Sequence, residues 1–129
     1  MSRSIALLAA LGLALLPACG GNDATAEIEL PPAAAEGRDV YRSKGCAACH
    51  GSNAEGGVAP PLAGLFGTEV PIQGGDPVIA DRDYLVESIV DPGAKRVDGY
   101  NLPMPTTKLS DDEIDAVIAY IEELAEVAP

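Results

Sequence analysis

Residues 46–50 read Cys46-Ala47-Ala48-Cys49-His50, and this short stretch carries the most specific pattern in the 129-residue chain. Two thiols three positions apart, followed at once by an imidazole, form the C-x-x-C-H motif of covalent haem attachment. The spacing lets both thiols reach vinyl groups on neighbouring pyrroles and places His50 beneath the iron as a ligand. The motif therefore predicts one haem c, attached through Cys46 and Cys49.

Three other kinds of site use the same residue types. A thioredoxin-like redox pair needs a βαβ context, whereas here a predicted helix precedes the motif and Gly45 interrupts it. A zinc site needs four ligands, but His50 is the only histidine and the third cysteine, Cys19, lies far away. A disulfide between Cys46 and Cys49 would give His50 no role. The thiol–disulfide alternative predicts a colourless protein after expression with the haem-maturation machinery.

The second axial ligand is predicted by elimination. The chain has two methionines, and Met1 belongs to a predicted export signal, so Met104 is the only methionine of the mature protein. Pro103 and Pro105 flank it and fix the backbone φ angle on both sides. We expect the Met104 thioether to bind the iron opposite His50, a ligand pair that raises the reduction potential. The alternative is a methionine that fills space in the core.

The N-terminus has the features of an export signal over residues 1–18. Arg3 precedes an apolar run from Ile5 to Leu16, which is too short to span a bilayer as a helix, and small residues follow. Leu16-Pro17-Ala18-Cys19 resembles the lipobox of bacterial lipoproteins, which implies a lipid on Cys19. We expect an exported protein, periplasmic or on the outer face of the cell membrane, held there by its lipid. A buried N-terminal helix and a signal with an incidental cysteine are the alternatives.

Composition and charge limit the partners. Residues 19–35 are rich in Gly, Ala, Pro and acidic groups and predict a flexible tether, followed by a folded domain over residues 36–129. The net charge of −12 excludes nucleic acid as a partner. It favours a partner with a basic docking patch, although simple solubility is an alternative. One Phe and no Trp make a thin core, which a haem would help to fill.

Apolar periodicity and local signals predict three helices before residue 92. The first runs from Pro32 or Ala33 to Ser43 and ends before the Gly45 break. A short one is expected within Pro61 to Phe66. Another follows Asp81 as its N-cap and stops before Pro92. Three residues share one face of the first helix: Gly37, Val40 and Tyr41.

A small hairpin is expected between the second and third of these helices, over residues 70–80. Val70 and Ile72 would face Val78, and Gly74-Gly75 would form the turn.

The last helix has the clearest local signals. Ser110 is a suitable N-cap and Glu113 completes a capping box, while Leu109 and Ile114 occupy the flanking apolar positions. Apolar residues then recur at helical spacing: Ile114, Val117, Ile118, Ile121 and Leu124. This face predicts packing against the first helix, where Gly37 would allow a close approach.

Together with the motif and Met104, the segment from Pro60 to Gly67 gives the chain a family resemblance: the folded part resembles a class I cytochrome c. The resemblance implies an all-α fold with three to four helices around one covalent haem, here with a small hairpin insertion near residues 70–80. It also implies that the Pro60 carbonyl binds the second ring nitrogen of His50. Three residues would form walls of the haem pocket: Leu62, Leu65 and Phe66.

Most of the folded part is similar to the haem c domain fused to subunit II of haem-copper cytochrome oxidases. Those domains follow a copper-binding domain, which this chain lacks, so the resemblance is to a separate haem domain with its own lipid anchor. The similar stretches are Gly45 to Gly51, Gly57 to Gly67, Tyr84 to Lys95, Gly99-Tyr100, Met104-Pro105 and Leu109 to Ile121.

Several polar residues near Met104 have two interpretations. Tyr100 and Asn101 would hydrogen-bond the methionine sulfur or a haem propionate, or else pack in the pocket. Lys95 and Arg96 would pair with a propionate or remain solvated.

Two axial ligands leave no open coordination position, so we expect an electron carrier with no enzymatic activity and no small-molecule substrate. Its expected partners are a terminal oxidase or a quinol-oxidising complex. One alternative is a haem subunit of a periplasmic dehydrogenase or reductase. Another is a sensor or peroxidase in which Met104 leaves the iron, and ready binding of carbon monoxide would favour it.

Overall fold

The structure is a computed structural model that describes residues 29–126. The predicted signal over residues 1–18, Cys19 and most of the predicted tether lie outside the described residues. Within residues 29–126, no helix is long and apolar enough to cross a membrane. The elements in chain order are α1 (Pro32–Ser43), α2 (Ala47–His50), β1 (Glu69–Val70), β2 (Val78–Ile79), α3 (Arg82–Val90) and α4 (Asp111–Glu126). The all-α prediction with one small hairpin is confirmed.

The packing of α1 against α4 is the main helix contact, as the sequence predicted. Gly37 lies so close to α4 that a Cβ atom there would fall 1.8 Å from the Ala116 carbonyl oxygen. One turn further along α1, the buried Tyr41 ring lies 5.5 Å from the Tyr120 ring, measured between centroids. A small residue therefore allows the close approach, and two large rings fill the space beside it.

Both predicted N-caps of the later helices are present. The backbone N–H of Ser110 donates to the Glu113 carboxylate at 2.9 Å, and the Glu113 N–H donates to the Ser110 hydroxyl at 3.3 Å. This reciprocal pair satisfies amide groups that have no partner within α4. At the start of α3, the Asp81 carboxylate accepts from the Tyr84 N–H at 2.9 Å. Polar side chains that bind nearby backbone amides thus define where α3 and α4 begin.

The predicted short helix within residues 61–66 is wrong, because this segment forms turns. Gly64 and Gly67 have φ angles of +74° and +79°, which an α-helix does not contain. The structure also places helix within the last residues of the predicted tether, 19–35. Helix α1 already begins at Pro32, and Ala34 is only 2% exposed, so residues 32–35 belong to the folded part. Helix α2, one turn over residues 47–50, was not predicted.

The predicted hairpin is present but shorter than expected. Val70 pairs with Val78 in the antiparallel register, as predicted. Ile72 does not face Val78. It forms an isolated antiparallel bridge with Val97, which lies between α3 and α4. Because the Asp98 N–H also donates to the Pro71 carbonyl at 2.9 Å, this segment is tied to the hairpin and closes one side of the interior.

Candidate haem site

The attachment motif lies on a single helical turn that follows directly from α1. Gly45 has a φ of +86°, which lets the chain reverse direction between α1 and α2. The Cys46 N–H donates back to the Tyr41 carbonyl at 3.1 Å, and the His50 N–H donates to the Cys46 carbonyl at 3.0 Å. Both thiols are half-buried and form no disulfide. The turn thus presents two thiols and one imidazole from a rigid backbone.

The His50 ring is oriented by one hydrogen bond. Its Nδ1 donates to the Pro60 carbonyl oxygen at 2.8 Å, the contact that the resemblance implied. The residue is 8% exposed, and burial lowers the pKa of the imidazole, although the Pro60 contact opposes this shift. A neutral ring that carries its proton on Nδ1 leaves Nε2 free as a donor atom for a metal.

The loop after His50 is held in place by three further hydrogen bonds. The buried Tyr41 hydroxyl donates to the Gly51 carbonyl at 2.5 Å, and the Gly56 N–H donates to the His50 carbonyl at 2.7 Å. The Ala59 N–H then donates to the Cys49 carbonyl at 3.1 Å. The chain therefore returns to the motif, and Pro60 reaches the His50 ring.

A large cavity opens beside the motif. It spans about 1380 Å³ of atom-free space, part of which is open solvent. Its lining brings together eight of the nine predicted binding residues: Cys46, Cys49, His50, Pro60, Leu62, Leu65, Tyr100 and Met104. The chemistry of this lining, with two thiols, one buried imidazole, one thioether and apolar walls, fits a porphyrin that is attached to the chain. They fit zinc poorly, since no cluster of three or more metal-ligating His, Cys, Asp or Glu occurs within the described part of the chain.

A cytochrome c family model matches residues 34–125, a range that includes most of α1 and α4, the attachment motif and the residues that line the cavity. The chain belongs to the cytochrome c family. The predicted class I cytochrome c fold and the predicted covalent haem c are thereby confirmed, and the protein transfers electrons between redox protein partners. No curated protein matches the chain significantly.

The segment that carries Met104 has no regular secondary structure in this cytochrome. It runs from Tyr100 to Ser110, and Met104 is half-buried in the cavity lining. The Arg96 guanidinium donates to the Asn101 carbonyl at 2.9 Å, which ties the beginning of this segment to the preceding loop. Asn101 itself is exposed. Arg96 is exposed as well, so the contact lies at the surface.

Phe66, the ninth predicted residue, does not line the cavity. It packs against the outside of the main core and borders a shallow groove with Pro31, Ala33 and Ala119. The turns at Gly64 and Gly67 explain the difference, because a helix over residues 61–66 would place its side chains in another register. Leu62 and Leu65, which precede the last turn, do reach the cavity.

Sequence reasoning missed the contribution of α3 and the hairpin to the cavity. Val70, Leu85, Ser88 and Ile89 line it, as does Val97 after α3. Leu85 and Ile89 lie four positions apart on the predicted third helix, a spacing that could have indicated a common buried face, and Val70 belongs to the predicted hairpin. Ser88 carried none, because a serine on a helix gives no indication of which surface it faces.

Proposed function

We propose that this cytochrome is a membrane-anchored carrier that moves single electrons in a respiratory chain, to a terminal oxidase, and that it has no enzymatic activity. The observation that carries the proposal is that His50 and Met104 line the same cavity. The His50 imidazole and the Met104 thioether would hold the haem iron, and with both bound no coordination position would remain for a substrate.

The haem supplies an iron centre that alternates between the ferric and ferrous states. The chain's own task is to hold the ligands still while the charge changes. Pro60 fixes the orientation of the His50 ring, and Pro103 and Pro105 restrict the backbone on both sides of Met104. Apolar cavity walls exclude water, so little solvent has to rearrange during transfer.

Carbon monoxide tests the claim that both axial positions are filled. The reduced full-length protein should bind carbon monoxide slowly and weakly at neutral pH, because Met104 would have to leave first. The variant M104A, which opens the position, should bind it readily and provides the positive control. Rapid binding by the unaltered protein, equal to that of M104A, would favour a sensor or peroxidase and refute the proposal.

The acidic surface supports a basic partner. With a net charge of −12, association with a basic docking patch should accelerate as salt is lowered. Leu102 lines the cavity and is 59% exposed, which suits the apolar centre of a transient contact. Ile79 on β2 is 51% exposed and does not line the cavity, so it serves as a matched control.

Oxidation of the reduced protein by purified terminal oxidases tests this partner. We expect the rate to fall as the salt concentration rises, and we expect Leu102→Ser to slow oxidation more than Ile79→Ser. A rate that salt does not affect, or equal effects of the two substitutions, would contradict the proposed docking. Oxidation by none of the oxidases would refute the proposed acceptor while leaving electron transfer by the family intact.

The proposed anchor is a lipid on Cys19, followed by a short tether to Pro32. It is supported by the lipobox-like sequence at the end of the predicted export signal. Fractionation of cells expressing the full chain tests it. The unaltered protein should partition with membranes, and C19S should appear in the soluble exported fraction with its haem still attached. Membrane association that survives the C19S substitution would exclude the lipid anchor.

A further inference from the structure

Helix α4 presents different residues to two sides of the molecule. Val117 and Ile121 line the cavity. Ala119, two positions from each of them, lies on the opposite side of the helix, because one turn contains about 3.6 residues. Three glutamates share the side of Ala119 and line the shallow groove there: Glu122, Glu123 and Glu126. None of the described residues lines both this groove and the cavity.

Apart from the glutamates, the lining of this groove is apolar. Five residues form it: Pro31, Ala33, Ala34, Phe66 and Ala119. Phe66 is the only phenylalanine of the chain and is half-buried, while Ala33 is exposed. Leu65, the residue before Phe66, lines the cavity, so two adjacent side chains serve different surfaces. We call these five residues and the three glutamates the α1–α4 groove.

The charge at the edge of the α1–α4 groove is uncompensated. Its glutamates lie in the last two turns of α4, where the helix dipole favours positive side chains, yet the last turn contains no basic residue. Within residues 29–126, neither Glu123 nor Glu126 forms an ion pair. Arg82 approaches Glu122 at 4.0 Å but pairs more closely with Asp115, at 2.6 Å. The groove therefore combines apolar surface with carboxylates that have little positive charge beside them.

The rest of this chain does not supply the missing positive charge. Outside residues 29–126 the sequence has one basic residue, Arg3, which belongs to the predicted export signal. Residues 19–28 instead carry Asp23 and Glu27, and residues 127–129 contain no lysine or arginine. Either segment in the groove would leave the glutamates unpaired. Charge complementarity thus favours a different molecule, one that brings its own cations.

We propose that the α1–α4 groove binds a basic, apolar segment of a protein partner, which holds the cytochrome while the cavity side stays free for electron exchange. Apolar side chains of the segment cover Phe66 and Ala33, and its lysine or arginine side chains pair with Glu123 and Glu126. Buried apolar area contributes affinity, and the charges contribute specificity and speed of association. The inference depends on neither the electron acceptor nor the lipid anchor proposed above.

An NMR titration of the full-length, haem-loaded ferrous protein tests where such a segment binds. The probe is a synthetic amphipathic helical peptide of leucine and lysine, and the same peptide with glutamine in place of lysine is its control. We expect the lysine peptide to shift the backbone amide signals of Ala33, Phe66 and Ala119 and to leave those of Leu102 and Val97 unchanged. Shifts confined to Leu102 and Val97, or equal binding of both peptides, would overturn the proposal.

Two double variants separate the groove from the general acidity of the protein. E123Q/E126Q and E69Q/D76N each remove two negative charges, but Glu69 and Asp76 are exposed residues that line neither the groove nor the cavity. E123Q/E126Q should raise the Kd for the lysine peptide about three- to tenfold, and E69Q/D76N less than about twofold. Equal changes in the two double variants would refute the assigned role of the groove.

A33Q tests the apolar part of the contact, because it places a polar side chain at the exposed Ala33. The control is A94Q, at an exposed residue of the loop after α3 that lies outside the groove. A33Q should weaken binding of the lysine peptide more than A94Q, and equal effects would contradict the apolar contact. If A33Q does not fold, the comparison of E123Q/E126Q with E69Q/D76N decides alone.

Sedimentation velocity of the haem-loaded protein without peptide distinguishes a second copy of this chain from a different partner. We expect a monomer at the concentrations of the titration. A dimer that E123Q/E126Q disperses would assign the α1–α4 groove to a second copy and overturn the proposal.

Discussion

His50 Nδ1 donates a hydrogen bond to the Pro60 carbonyl oxygen at 2.8 Å, across ten residues of a loop that otherwise contains little regular structure. The contact couples the orientation of the imidazole to the backbone conformation of a single proline. Two glycines, Gly51 and Gly56, have φ angles of +90° and +95° within that loop and let it return so tightly. Loop geometry therefore controls the orientation of the His50 ring.

Pro60→Ala should loosen this contact while keeping the carbonyl group. Because alanine does not fix φ, the carbonyl would hold the His50 N–H less firmly and the ring would donate less electron density to the iron. We expect the reduction potential to rise and the His50 Nδ1 proton to exchange faster with solvent, as measured by spectroelectrochemistry and NMR. Pro61→Ala, at the exposed neighbouring proline, is the control. Equal exchange rates in the two variants would contradict the assigned role of Pro60.

Gly37→Ala should destabilise the protein strongly. The added Cβ would lie 1.8 Å from the Ala116 carbonyl oxygen, so α1 and α4 would have to separate. Overpacking of this kind costs about 1–3 kcal/mol, occasionally more. Guanidinium unfolding of the haem-loaded protein, followed by circular dichroism, measures the loss. Gly75→Ala serves as the control, since a Cβ there would approach only Ile72, at 3.7 Å, and a comparable loss in that variant would disprove the explanation.

Tyr41→Phe removes the hydroxyl that donates to the Gly51 carbonyl while keeping the ring against Tyr120. Losing one such hydrogen bond and leaving the carbonyl unpaired should lower the free energy of unfolding by about 1 kcal/mol. The matched variant Tyr120→Phe alters the other member of the ring pair and should cost less. Chemical unfolding monitored by haem absorbance compares them, and a greater loss in Tyr120→Phe would argue against the Tyr41–Gly51 contact.

The Glu113 carboxylate predicts a pH-dependent part of the stability. Lys44 and the Ser110 N–H hold the pKa of this carboxylate below its ordinary value of 4.5. A depressed pKa in the folded state means that the charge stabilises the fold above pH 4.5 and that this contribution is lost as the pH falls through the lowered pKa. The difference in unfolding free energy between the unaltered protein and Glu113→Gln should therefore be present at neutral pH and shrink in acid.

Unfolding curves between pH 3 and pH 7 measure that difference. This is roughly the pH range in which the protonation of a carboxylate changes the free energy of unfolding. Glu69→Gln, at an exposed position on β1, is the control and should show a smaller dependence. A difference that is constant with pH would mean that Glu113 contributes through the shape of the capping box and not through its charge.

Local sequence signals predicted much of this fold because each of them acts over a few residues. Asp81 and Ser110 mark helix starts through side chains that reach backbone amides three residues away, so their roles do not depend on the rest of the chain. The helix predicted over residues 61–66 does not form, because Gly64 and Gly67 adopt positive φ angles. Nothing local fixes a glycine at positive φ, and the surrounding turns decide it.

Some contacts of the site join segments that are distant in sequence, and the sequence alone could not predict them. Ile72 pairs with Val97 and not within the predicted hairpin, because the loop after α3 folds back over β1. Ser88 of α3 and Lys95 of the following loop line the same cavity, and an ion pair between Lys95 and Glu87 joins the loop to the helix. Neither juxtaposition follows from periodicity or spacing.

The sequence alone determined that a haem is attached, since two thiols and an imidazole at fixed spacing are sufficient for that chemistry. It also determined the main helices, whose caps and apolar faces are local properties. Only the tertiary structure decided which residues line the cavity and that Phe66 is not among them. The physical reason is that contacts across the cavity depend on the path of the whole chain. The close packing of α1 on α4 and the turns between these helices together determine that path.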